Sequence, residues 1–285
     1  MAQRGSAISK QWDELRKELT DLADTGEWAF RGEREPYPSV HPAIDRITLA
    51  QTNTLALSQL LSIEREATAE FFKHAAGSAS GIEAAMFADW LSMQALLRHY
   101  GGPTRLLDWS TDWRVSAFWA CESEFEKDGR IMAFNFKSLK TQQMGLVGTS
   151  DDFWRTPVSF NKGMPVPRIL HVQSVRQMPK AVFIVSPELQ FPRIIVQRGV
   201  FSIATQPQLD HWETIQNNNS DPNHTKLFVV PAGVKRFALQ RLSRQQISHA
   251  SILPGVTGAA LHASAIAERR ATDRKAYSAN QADDN

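Results

Sequence analysis

The chain has 285 residues, 42% hydrophobic and 22% charged, a balance that suits a globular protein able to bury one large core or two small ones. With 32 basic against 30 acidic residues the formal charge is +2, so composition gives no push toward nucleic acid. A single cysteine, Cys121, excludes an internal disulfide framework and a cysteine zinc cluster. The N-terminus lacks the apolar core of a signal peptide, and no run reaches the ~18 apolar residues of a membrane span. A soluble cytoplasmic protein with no membrane partner is the expectation.

In chain order, residues 1–8 are small and polar and are expected to be flexible. Trp12, Leu15, Leu19 and Leu22 recur at helical spacing, which predicts an amphipathic helix over 9–24, stopped near Gly26. Trp28-Ala29-Phe30 is strand material running into Arg31-Gly32-Glu33, and 34–47, with three prolines, predicts a surface loop. Two helices follow, over 55–76 and 82–98, separated by a Gly-Ser-Ala-Ser-Gly break. The second delivers His99 and Tyr100 to Gly101-Gly102-Pro103, where glycine and proline stop the helix. Thr104 to Trp109 predicts a short buried strand carrying Arg105 and Asp108, and 111–126 a helix capped by Ser110, Thr111 or Asp112.

Residues 130–136 predict another strand, and 137–179, without periodicity, a lid or insertion. Strands are expected at 181–185, 194–196, 197–203 and 226–230, with a polar stretch over 206–224. Helices are expected over 234–245 and 256–270, and a disordered tail over 271–285. Helices dominate early and strands late. This predicts an α+β fold: one domain over 9–268, with a helical N-terminal half packed on a mostly antiparallel sheet.

The polar groups gathered in the apolar frame of 96–121 mark the candidate site, because burying His99, Tyr100, Arg105, Asp108 and Ser110 is costly unless they satisfy each other or a ligand. Arg31, followed by Gly32, can clamp a phosphate with its planar fork while glycine admits the ligand closely; the plainer reading pairs it with Glu33 or Asp108. His99 can act as acid or base or contact a ribose, or simply cap a helix end. Tyr100 can stack on a ring or serve as a core aromatic. Asp108 is the first choice for a functional carboxylate, a buried acid with a shifted pKa. Three residues apart on one strand, Asp108 and Arg105 point to opposite faces and need separate partners. Ser110 is a better helix cap than nucleophile, Gln197 can bond a ligand amide or ribose, and Arg193 reads as a rim charge. No Walker loop, GxGxxG, HExxH or GxSxG occurs, and His211, His224, His249 and His262 lack metal-ligand spacing, so no metal is expected.

Three separated segments resemble one family. Phe30-Arg31-Gly32 matches the motif that names the FRG domain. His99-Tyr100-Gly101-Gly102-Pro103-Thr104-Arg105-Leu106-Leu107-Asp108-Trp109-Ser110 resembles its longest signature block, and Arg193 to Phe201 its R-x-x-x-Q-x-G-x-F segment. Lys235, Ile247 and Ser251 to Gly255 resemble its closing pattern, so the likeness spans about 25–265. Gly102 departs from it, standing where the family more often has a larger apolar residue. That resemblance implies kinship and carries no activity.

A second resemblance, to arginine-type ADP-ribosyltransferases, implies a split sheet. It rests on Phe30-Arg31-Gly32 and on Asp108-Trp109-Ser110-Thr111 followed by Ala117-Phe118. The catalytic glutamate of that family has no counterpart here, since Gln197 stands where it is hoped for; either the fold binds a dinucleotide without that chemistry, or another carboxylate, Asp108 or Glu33, supplies it. The leading reading is therefore a nucleotide-handling pocket of ADP-ribosyltransferase-like type. NAD would be its substrate, Asp108, His99 and Gln197 its catalytic group, and Arg31, Gly32, Tyr100, Arg105 and Ser110 its binding group. A toxin or defence role would suit that activity. The competing reading is a non-catalytic module recognising nucleic acid or a protein, whose basic candidates are Arg236, Arg241, Arg244, Arg269 and Arg270.

Overall fold

The computed structural model describes residues 2–51, 55–140, 169, 172–219 and 221–282. Helix α1 (Ala2–Ala23) buries Trp12, Leu15 and Leu19, and Gly26, at φ 71°, reverses the chain into strand β1 (Trp28–Glu33). The helix begins at Ala2, so most of the leader expected to be flexible is helical. Helix α2 (Ala43–Gln51) occupies part of the expected surface loop, burying Ile44. Helix α3 (Leu57–Ala75) follows as predicted. The next expected helix is two, α4 (Gly81–Met86) and α5 (Trp90–His99), because the Asp89 carboxylate accepts from the Ser92 amide and starts α5 afresh.

Strand β2 (Leu107–Ser110) leads to α6 (Trp113–Cys121), capped by Asp112, and then to β3 (Gly129–Asn135). The lid or insertion expected over 137–179 falls largely outside the described residues; α7 (Val172–Gln177) lies at its end. Then come β4 (Val182–Val185), α8 (Pro192–Val196), β5 (Gly199–Ala204), α9 (His211–Asn218) and β6 (Thr225–Val230). Helices α10 (Ala232–Arg244), α11 (His249–Ile252) and α12 (Val256–Ala282) close the chain. Alanine-rich helix formers carry α12 to Ala282.

The sheet is antiparallel throughout, ordered β4-β5-β2-β1-β3-β6, and the fold is α+β. β1 pairs β3 along its whole length, from Trp28 with Asn135 to Glu33 with Arg130, and β2 pairs β5 from Leu107 with Ser202 to Ser110 with Gly199. Between β1 and β2 only Phe30 and Ser110 are in register. Two three-stranded halves thus meet at one residue pair and then part.

Alternation along the strands feeds two cores. Ile131 and Ala133 pack with α1, α6 and α10, whereas Met132 and Phe134 pack with Trp109 and Trp212. A third cluster joins α3 and α5 to Phe183, Val185, Phe201 and Ile203. Helix α6 lies unusually close to β1 and β3, and two glycines allow it. A Cβ on Gly32 would fall 1.8 Å from the Ser116 carbonyl oxygen, and one on Gly129 2.4 Å from that of Ala120. Fully buried Lys235 binds α10 to the loops beneath it by donating to the carbonyls of Ser123 and Glu124 at 3.2 and 2.9 Å.

Candidate functional site

The site forms where the sheet divides. Beyond the Phe30–Ser110 pair, the antiparallel register would set Gly32 opposite Asp108, but no ladder pair forms there. Instead Arg31 Nη1 donates to the Asp108 carbonyl at 2.9 Å, so a guanidinium takes the place of a backbone donor at the point of separation. Arg31 Nε lies 3.5 Å from Glu33 Oε1 and is buried without a hydrogen bond. Glu33 Oε2 is already bonded to Arg130 Nε at 2.7 Å, which leaves Arg31 incompletely neutralised. Burial lowers the Arg31 pKa, with the Glu33 and Asp108 charges opposing.

Asp108 projects into this opening, its side chain 43% exposed. Arg98, from the last turn of α5, donates to the same carboxylate oxygen, Oδ2, through Nε at 2.9 Å and Nη2 at 2.6 Å. Oδ1 accepts no hydrogen bond among the described residues. Desolvation alone would raise the Asp108 pKa, but the charges of Arg98, Arg31 and Arg193 outweigh it and hold the carboxyl below its ordinary value. Asp108 is therefore an ionised, half-exposed carboxylate, suited to accepting a hydroxyl or steadying a developing cation, and unsuited to donating a proton.

Arg193, in the first turn of α8, makes no hydrogen bond or ion pair among the described residues. Burial lowers its pKa, Asp108 draws it back up, and Arg98 opposes it. Two spaces open around these groups. The larger, about 350 Å³, is lined by Arg31, Arg34, Ser110, Trp119 and Glu122 among others; the smaller, about 150 Å³, by His99, Phe191, Ile194 and Phe201. Arg98, Asp108, Trp109, Arg193 and Gln197 line both. Trp109 is fixed from behind: its Nε1 donates to Ser202 Oγ at 2.8 Å, which lies 2.8 Å from His211 Nδ1. Burial pushes the His211 pKa down to about 3, so this relay is neutral at physiological pH.

Of the residues singled out from the sequence, Arg31, His99, Asp108 and Gln197 surround this pair of spaces. Gln197 follows α8 as its C-cap and precedes β5, which corrects its expected place on a strand; its Nε2 donates to the Ile252 carbonyl at 2.9 Å. Ser110 lines the larger space but is tied down, accepting from the Asp112 amide at 2.9 Å and donating to the Gln197 carbonyl at 2.6 Å. Gly32 also borders the cleft, although its bare Cα is required by α6.

Two candidates fall elsewhere. Tyr100 is 62% exposed, lines neither space, and hydrogen-bonds Glu83. Arg105 precedes β2 and is fully buried, its Nε 2.6 Å from Glu64 Oε2, with Nη2 donating to the Ile169 carbonyl at 3.0 Å. It is a core ion pair between α3 and the approach to β2, with no access to a ligand. Arg98 and Phe191 were not singled out, because an arginine in a last helical turn resembles a cap and Phe191 lies far off in sequence. Among the described residues no group of three or more His, Cys, Asp or Glu is placed to hold a metal ion, and no helix is long and apolar enough to cross a membrane.

Residues 26–129 match the family model of the FRG domain. Over these residues the chain is similar to the FRG domain. The match begins just before β1 and ends at the first residue of β3, so this FRG segment supplies Arg31, Arg98, His99 and Asp108, while Phe191, Arg193 and Gln197 come from beyond it. No curated protein and no solved structure matches the chain.

Proposed function

We propose that the FRG cleft binds a nucleotide through its phosphates, with NAD or a related nucleotide as the ligand. The observation that carries this reading is the gathering of three guanidiniums, Arg31, Arg98 and Arg193, at Asp108, where Arg98 holds the carboxylate, Arg31 the backbone carbonyl, and Arg193 makes no hydrogen bond or ion pair among the described residues. Partly desolvated guanidiniums in excess of their counter-ions favour a multiply charged oxyanion, and planar forks match phosphate oxygens. Asp108 Oδ1, facing the same opening, would take a ribose hydroxyl.

The division of the sheet beside Phe30-Arg31-Gly32 supports the likeness to ADP-ribosyltransferases, and hence a chemical step on that sugar. In such a step the bond from ribose C1′ to the nicotinamide nitrogen breaks, the pair leaving with nicotinamide. A water or acceptor oxygen then bonds to C1′ and loses its proton to solvent. Strand β5 carries no carboxylate, so Asp108 is the group that would face the cationic sugar. Gln197 and His99 would position the ligand.

Calorimetric titration with NAD and ADP-ribose tests binding, and chromatographic detection of released nicotinamide tests turnover. Saturable binding lost in Arg193→Ala supports the cleft, and nicotinamide release abolished in Asp108→Asn supports the step. Binding without release leaves a nucleotide sensor.

The recognition reading rests on another surface. Arg236, Arg269 and Arg270 border a groove of about 880 Å³ between α10 and α12, with Phe237 and Ile266 in its lining. Retention of a mixed-sequence oligonucleotide or a protein by this groove, with NAD silent, would favour that reading.

A further inference from the structure

The smaller compartment differs in character from the arginine cleft it adjoins. Phe191, Ile194, Phe201 and Trp109 give it aromatic and apolar walls. The His99 ring lies 4.1 Å from Phe191, centroid to centroid, and its Nδ1 is buried without a hydrogen-bond partner. That nitrogen is closed off from the compartment, and the other, Nε2, which makes no hydrogen bond among the described residues, is the one open to a bound polar edge. Burial and the nearby Arg193 hold the imidazole neutral at pH 7, leaving it one donor and one acceptor. Arg98 and Arg193 stand on the shared wall against the single carboxylate of Asp108, so a cationic ring is disfavoured relative to a neutral one.

Resting on the phosphate reading of the cleft, we propose that this compartment seats the neutral heteroaromatic base of the nucleotide, with His99 hydrogen-bonded to the polar edge of that base. In a dinucleotide the purine end, and not the cationic pyridinium, enters here. The reacting ribose is then left beside Asp108 in the larger cleft.

Four probes separate the parts: pyrophosphate, ADP, adenosine and nicotinamide mononucleotide, each titrated against the wild-type chain, Phe191→Leu, His99→Phe and Arg193→Ala. Melting curves confirm folding; Arg193→Ala and His99→Phe disturb no side-chain hydrogen bond among the described residues. A base in an aromatic seat is worth roughly tenfold or more in affinity. ADP is therefore expected to bind at least about tenfold tighter than pyrophosphate, an advantage that Phe191→Leu and His99→Phe reduce while pyrophosphate affinity holds. Nicotinamide mononucleotide gains no such advantage. Equal affinities for ADP and pyrophosphate, an advantage indifferent to both variants, or an equal gain for the cationic ring would each overturn the base seat. Silence of pyrophosphate alone would remove the phosphate reading and leave adenosine binding, sensitive to Phe191→Leu, to uphold the seat.

Discussion

Asp108 occupies the place that a phosphate would compete for, since both would be held by Arg98. Asp108→Asn is expected to tighten pyrophosphate binding while lowering stability by less than about 1 kcal/mol, as befits a half-exposed pair. Weaker pyrophosphate binding in that variant would contradict the competition. Because the carboxyl is held below its ordinary value, its stabilisation is present above the unfolded-state pKa and fades as pH falls through the lowered one.

Asp45 behaves in the opposite sense. It is 2% exposed, and burial pushes its pKa up to about 7 against the pull of Arg105. A carboxyl raised on folding adds stability at acid pH that is lost as pH climbs from about 4 to about 7. Asp45→Asn should therefore gain on the wild type between pH 5 and pH 8, by something on the order of 1–3 kcal/mol, read from denaturant midpoints at both values. Parallel stability curves would refute this.

Residues of the short block 99–110 were legible as a site because unlike polar groups crowd an apolar frame. The division of labour within the block was not legible. Arg105 and Asp108 look alike on a line, and only the fold sends one to Glu64 and the other to Arg98.

Among elements, β1 and α6 are locked by the absence of a side chain at Gly32. Gly32→Ala places a methyl group 1.8 Å from the Ser116 oxygen, and backbone cannot yield as a side chain can. A loss of about 3 kcal/mol or more is expected, seen as a lowered melting temperature by circular dichroism. An unchanged melt would mean that α6 stands farther off.

The Glu64–Arg105 pair makes a second test. Glu64→Gln strands a buried guanidinium and should cost about 3–5 kcal/mol. The double change Glu64→Leu with Arg105→Met removes both charges and should cost much less. Equal losses in the single and double variants would count against a buried pair.

Strands β1 to β6 could be read from apolar runs bounded by turns. Helix α8 could not, because Ile194-Ile195-Val196 has β-branched content whichever form it takes. Pro192 and the amide of Ile194 bonded to the Phe191 carbonyl settle it as a helical turn. Helix α9 did leave a signal, Asp210 as cap with Trp212 and Ile215 three apart, hidden by the polar residues around it.

At the scale of the molecule, the α+β layout and a split antiparallel sheet could be anticipated. The meeting of α5, β2 and α8 at one carboxylate could not, since about eighty residues separate Asp108 from Arg193 and nothing local announces their approach. Whether that convergence binds a nucleotide is read from a thermal-shift titration with NAD, wild type beside Arg193→Ala. A ligand binding only the folded state stabilises it by about 2.7 kcal/mol at one hundred times its dissociation constant. The expected result is a concentration-dependent rise in the wild-type melting temperature that largely disappears in Arg193→Ala, with the ligand-free melts of the two proteins alike. A wild type indifferent to NAD, or a rise that survives in Arg193→Ala, would contradict it.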